Sequence, residues 1–134
     1  MLRCLIVDDS PRFLDAARAL LEREGVAVVG LASTGAEAVR SVETLKPDVA
    51  LLDIDLGDES GFEVATRLRR DGRHPPTPVI LISTHAEQDY ADLIEASPVV
   101  GFLSKSALSA DAIRELLGGG NGQSAAPVNG PRGT

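Results

Sequence analysis

The sequence predicts an α/β fold in which five parallel strands form a doubly wound sheet with five helices on its two faces. Three observations carry this reading. Short apolar runs alternate with amphipathic stretches five times along the chain. The runs are nearly continuous in apolar residues, as strands buried on both faces require. The connections between runs and stretches are short and rich in turn and cap residues, which favours right-handed crossover units.

Leu2–Val7 is the first strand, interrupted only by Arg3. Ser10 then offers a capping hydroxyl, and Pro11 supplies the fixed φ of a first helical turn. That helix carries Phe13, Leu14, Ala17, Leu20 and Leu21, and Gly25 ends it, because glycine tolerates positive φ. Val26–Ala32 is the second strand. Thr34-Gly35-Ala36-Glu37 has capping-box spacing and opens a helix to about Leu45, before Pro47. Val49–Asp53 is the third strand, and Ser60-Gly61-Phe62-Glu63 predicts a second capping box at the next helix. Asp71–Pro78 is a polar loop with three prolines. Val79–Ser83 is the fourth strand, a weaker helix covers about Glu87–Ala96, and Val99–Leu103 is the fifth strand. Ser109 caps a last helix ending near Leu117. From Gly118 to Thr134 there are six glycines, two prolines and one charge, which predicts a disordered tail after one domain over residues 1–117. Seventeen such residues are too few for an output domain.

Composition narrows the function classes. The chain has 134 residues, 43% of them hydrophobic, as suits a single domain. Thirteen basic and twenty acidic residues give a net charge of −7, which disfavours nucleic acid and anionic membrane as partners. Aromatics are 3% with no Trp, so stacking platforms for single strands are missing. Cys4 is the one cysteine, excludes an internal disulfide, and reads as a buried strand residue in a reducing compartment. No apolar run approaches the roughly 18–20 residues of a membrane span. The N-terminal run meets Asp8 and Asp9 too soon for a signal peptide. The expected location is the cytoplasm.

In an open parallel sheet, ligand chemistry collects at the carboxyl ends of the strands. There the sequence places Asp8-Asp9, Asp53, Ser83 and the approach to Lys105. Converging carboxylates repel one another. A hard divalent cation with oxygen ligands relieves that conflict, so Mg²⁺ is expected, with Mn²⁺ able to replace it. Lys105 and Ser83 would then supply charge and a hydrogen-bond donor to phosphoryl oxygens. The chemistry suggested is phosphoryl transfer to a carboxylate, giving an acyl phosphate. Asp53 is the expected acceptor because it ends its strand singly, whereas Asp8-Asp9 read as a metal-holding pair.

Taken singly, these residues are weak signals. Asp8-Asp9 also suits a helix start, where the macrodipole favours acid. Ser83 and Lys105 alone would pass as a turn residue and a solvated cation, and Phe102 as ordinary core. His74 and His85 read as solvated loop residues, and Phe13 as core or as a docking residue beside the metal site. The conjunction of four positions in order is the informative feature.

That order resembles the receiver domain of bacterial two-component response regulators over about Leu2 to Leu117. The resemblance implies a sheet of strand order 2-1-3-4-5, as in flavodoxin and CheY-like proteins. It implies Asp53 as phosphoacceptor, Asp9 and Asp53 as direct Mg²⁺ ligands, Asp8 as an acidic neighbour acting largely through water, and the Asp55 carbonyl completing the metal site. Ser83 and Phe102 would be switch residues drawn inward on activation, and Lys105 would pair with the phosphoryl group. A sensor histidine kinase or phosphotransfer protein is the implied donor. The stretch Gly101–Ala107 is similar to receivers of the helix-turn-helix (NarL/LuxR-type) subgroup. Three positions depart from the family pattern. Gly57 and Ser106 stand where proline is frequent, and Ser97-Pro98-Val99 replaces a small-residue motif.

The expected function is therefore that of a single-domain response regulator. It would be a switch rather than a turnover enzyme on an outside substrate. Its output would pass through the surface of the fourth helix, fifth strand and fifth helix, to a downstream protein or to phosphorylation-dependent homodimerisation. Three alternatives stand beside it. They are a pseudo-receiver used only for interaction, the receiver fragment of a longer DNA-binding regulator, and, more remotely, a haloacid-dehalogenase-type phosphatase. The last also uses a D-x-D start, as in Asp53-Ile54-Asp55, but its acidic metal pair follows the lysine, whereas Asp8-Asp9 come first here.

Overall fold

The computed structural model describes residues 1–71 and 75–118. His74 and residues 119–134 of the expected disordered tail lie outside the described residues, while Gly118, expected to open that tail, instead ends the last helix. Among the described residues, seven strands run β1 Arg3–Val7, β2 Ala27–Ala32, β3 Val49–Asp53, β4 Asp55–Leu56, β5 Glu59–Ser60, β6 Val79–Ser83 and β7 Gly101–Ser104. The α-helices are α1 Pro11–Arg23, α2 Gly35–Leu45, α3 Gly61–Asp71, α4 Ala91–Glu95 and α5 Ala110–Gly118. The main sheet is parallel in the order β2-β1-β3-β6-β7, while β4 and β5 form a separate antiparallel hairpin. Counting only the five sheet strands, this is the order 2-1-3-4-5 that the resemblance implies.

Two apolar layers follow from strand alternation. Leu5, Val7, Leu52, Leu81 and Phe102 face Ala38 and Val42 of α2 and Val64 and Leu68 of α3. Cys4, Ile6, Leu51, Ile80 and Ile82 face Leu14, Ala17 and Leu21 of α1 and Ile113 of α5. Burial of Cys4 pushes its thiol up to about 12, so it is inert packing.

Three helix starts are capped as the sequence predicts. Ser10 Oγ accepts the Phe13 N–H at 3.2 Å, Thr34 Oγ1 the Glu37 N–H at 3.1 Å, and Ser109 Oγ the Ala112 N–H at 3.0 Å. Gly25 follows α1 with φ +88°. The reciprocal half of the first capping box is shifted by one residue. Glu37 accepts from the N–H and hydroxyl of Ser33, and these bonds hold its carboxyl below the usual range. The second capping box does not form. Ser60 Oγ accepts from Phe62 N–H at 3.2 Å, a tighter local turn, because Ser60 belongs to the β4–β5 hairpin.

The weaker helix is also different from expectation. A 3₁₀ turn over Glu87–Tyr90 precedes the single α-turn of α4. Neither start has a side-chain cap, and neither segment has a fully buried residue to anchor it. A further 3₁₀ turn spans Lys105–Ala107, and Ser106 N–H donates to Ser104 Oγ at 3.4 Å. Proline at position 106 would remove that donor.

Two glycines shape the segment after β3. Gly57 takes φ +63° in the hairpin turn, a conformation closed to the proline frequent there in the resembled family. Gly61 packs so closely that an added Cβ would overlap the Asp53 carbonyl oxygen and lie 2.7 Å from Ile54 Cα. Gly61 N–H also donates to Ile54 O at 2.6 Å. Gly61→Ala should therefore lower stability by about 1–3 kcal/mol through overpacking against backbone. Urea unfolding of the variant beside wild type measures this, and an unchanged midpoint would contradict the contact.

Candidate functional site

Register brings the acidic residues together. Val7 lies opposite Leu52, so Asp8 follows level with Asp53, and Asp53 in turn pairs with Ile82. Ser83 is next along β6, opposite Ser104 of β7, which leads directly into Lys105. Asp8 is fully buried, Asp53 and Ser83 are buried, and Asp9 is exposed. Asp8, Asp9 and Asp53 each offer a carboxylate oxygen within 4.8 Å of the other two.

Lys105 is the cation of this cluster. Its ammonium lies 2.6 Å from Asp8 Oδ2 and 3.4 Å from Asp53 Oδ2. The approach to Asp53 is a hydrogen bond. The approach to buried Asp8 Oδ2 is a close ion pair. Asp8 Oδ1 accepts the Ser10 N–H at 2.9 Å, and Asp53 Oδ1 accepts the Asp55 N–H at 3.3 Å.

Desolvation pushes the Asp53 carboxyl up to about 6, and the neighbouring Asp8 charge adds to the rise. Lys105 and the Asp55 N–H oppose it without cancelling it. The arrangement is short of positive charge. Three close carboxylate oxygens with one ammonium beside them suit a small hard cation with oxygen ligands. The residues present thus fit Mg²⁺.

The sequence-predicted residues are placed as follows. Asp8, Asp9, Asp53 and Lys105 form one cluster. Asp55 opens β4 beside it and touches Asp53 through its N–H. The Ser83 hydroxyl accepts the His85 N–H at 3.0 Å. Phe102 is already packed in the layer facing α2 and α3, 8% exposed. His85 is exposed, with its ring edge-on to Tyr90 and Nδ1 3.4 Å from the Tyr90 hydroxyl.

Three contacts were not legible in the sequence. The Lys105 ammonium lies 4.3 Å from the centroid of the Phe13 ring. Glu59, on the hairpin, accepts the Gly35 N–H at 2.8 Å and pairs with Arg67 at 3.2 Å. Two of them join residues far apart in the chain, Glu59 and Arg67 stand eight apart, and no local pattern marks any of the three.

The family of response regulator receiver domains matches residues 4–117. The chain belongs to that family. Among relatives, it is 29% identical over 117 residues to the response regulator GacA of Pseudomonas viridiflava, covering 87% of this chain and 54% of that protein. It is 31% identical over 104 residues to the DNA-binding transcriptional activator EvgA of Escherichia coli K12, covering 78% of this chain and 50% of EvgA. The chain thus spans about half the length of the curated relatives it matches. Among solved structures, the signal receiver domain of the response regulator NarL from Mycobacterium tuberculosis superposes with a TM-score of 0.73 at 31% identity, covering 87% of this chain and 93% of that one.

The raised Asp53 carboxyl has a consequence for stability. Between the ordinary value of 3.8 and about 6, the folded state holds a proton that the unfolded state has lost. Stability therefore falls as pH rises through that window, in the absence of divalent cations. Asp53→Asn, which keeps the shape and removes the charge, should be more stable than wild type at pH 7 by about 1–3 kcal/mol. It should also flatten the decline between pH 4 and about 6. Chemical denaturation in chelator across that range measures both effects; equal stabilities at pH 7 would contradict the electrostatic account.

Proposed function

We propose that this receiver domain is a phosphorylation switch whose acceptor is Asp53. The observation that carries the reading is that two buried carboxylates, Asp53 at the end of the central strand and Asp8 beside it, share the Lys105 ammonium. Asp8, Asp9 and Asp53 would hold Mg²⁺, with the Asp55 carbonyl beside them. Bound there, the cation would neutralise charge on the carboxylates and on an incoming phosphoryl group.

The chain's own residues do the rest. Asp53 supplies a carboxylate oxygen that forms the new O–P bond as the donor's bond to phosphorus breaks and the donor leaves with that electron pair. Lys105, already 3.4 Å from Asp53, sits where it can pair with a phosphoryl oxygen. Ser83, buried at the neighbouring strand end, is placed to turn its hydroxyl from the His85 N–H toward the new group. The donor is a sensor histidine kinase or a phosphotransfer protein. The bond formed is consumed by hydrolysis rather than passed to an outside substrate, so the domain acts as a switch.

Response at a distance would run through β6 and β7. Ser83 pairs with Ser104, and Leu81 with Phe102, so movement at the acceptor is transmitted to the strand that borders α4 and α5. That border exposes Leu93 and Val100, the surface a downstream protein or a second copy would read. Among the described residues no helix is long and apolar enough to cross a membrane.

The test is intact mass after incubation with acetyl phosphate, with and without Mg²⁺. The expected result is a Mg²⁺-dependent gain of one phosphoryl group in wild type and none in Asp53→Asn. Labelling retained in Asp53→Asn would sink the acceptor assignment.

A further inference from the structure

Phe13 is not among the residues expected to act in phosphoryl transfer, yet it closes a ring of contacts around the site. Asp8 Oδ1 accepts the Ser10 N–H at 2.9 Å, and Ser10 Oγ accepts the Phe13 N–H at 3.2 Å. The Phe13 ring lies 4.3 Å below the Lys105 ammonium, and the ammonium returns to Asp8 Oδ2 at 2.6 Å. Pro11 fixes the first turn of α1 between these points. The cap that starts the helix thus also aims the ring.

We propose that Phe13 is the positioning residue for Lys105, holding the ammonium over the acceptor through the face of its ring. A cation over an aromatic face is attracted by the ring quadrupole, more strongly when partly desolvated. The Lys105 side chain is only 15% exposed, so that condition is met. Of its three contacts, those to Asp8 and Asp53 weaken whenever the carboxylates take up another cation. The ring attraction does not depend on a free carboxylate. It therefore keeps Lys105 from swinging into solvent at the stage when its charge is needed beside a phosphoryl group. Phe13 also packs against the layer under α1 and α5, which anchors the ring.

The proposal rests on Asp53 being the acceptor, and the experiment separates the two. Phenylalanines carrying one, two and three ring fluorines are incorporated at position 13, which preserves shape while weakening the quadrupole in steps. Two quantities are read in each protein. One is the NMR shift of the Lys105 Hε protons, which a ring face moves upfield. The other is the rate of Asp53 labelling by acetyl phosphate with Mg²⁺. The Hε protons of wild type should lie upfield of those in Phe13→Leu. The labelling rate should fall stepwise with fluorination, reaching a loss of roughly two- to tenfold in the trifluorinated protein. An ordinary Lys105 shift in wild type, or labelling rates that ignore fluorination while Asp53 is labelled normally, would overturn the role of Phe13. Absence of labelling in wild type with the upfield shift present would instead overturn the acceptor assignment and leave the contact standing.

Discussion

Two buried carboxylates share one ammonium at the centre of this molecule, and the surrounding structure is organised to hold them there. Asp8 and Asp53 present oxygens within 4.8 Å of each other. At an effective dielectric of about 20, that proximity alone costs roughly 3–4 kcal/mol when both are charged. Lys105 offsets part of this, and the Ser10 and Asp55 N–H groups each give one carboxylate a single donor. Desolvation, with the Asp8 charge adding to it, leaves the Asp53 carboxyl raised to about 6. A site left short of positive charge is one that favours a small hard cation.

The fold supplies this arrangement through the register of its central strands. Because Val7 stands opposite Leu52, the next residues on both strands emerge together at the carboxyl edge. The apolar pairs beneath them, sealed by helices on both faces, keep that register from slipping. Glycine at position 61 then lets α3 begin against the Asp53 backbone itself, and the hairpin carrying Gly57 turns the chain back beside Asp9. Packing and site geometry are one constraint here, since a slipped strand would separate the carboxylates as well as expose the core.

The sequence made most of this legible because each strand end carries its own chemistry. Asp8-Asp9, Asp53, Ser83 and Lys105 each follow an apolar run, so strand placement and site placement were a single inference. The helix caps at Ser10, Thr34 and Ser109 were readable because capping is local. What escaped was either weakly encoded or non-local. The region around Glu87–Glu95 has helical periodicity but no cap and little to bury, so it settled as a 3₁₀ turn and a single α-turn. Ser60 and Glu63 had the right spacing for a capping box, but a hairpin claimed Ser60 first. The Phe13–Lys105 contact crosses the sheet edge and depends on tertiary placement alone.

The departures from the family pattern also have physical sense. Gly57 adopts a backbone that proline cannot, and Ser106 donates an N–H that proline lacks. Both changes leave the acidic cluster in place, which makes that cluster the claim most worth testing directly. The measurement is NMR of the uniformly labelled protein during addition of substoichiometric Mn²⁺, whose paramagnetism broadens nearby amide resonances. The account predicts that Asp8, Asp9, Asp53 and Asp55 broaden first and sharpen again when Mg²⁺ is added in excess. Broadening spread without preference over exposed acids such as Asp89, Asp92 and Glu95 would contradict it.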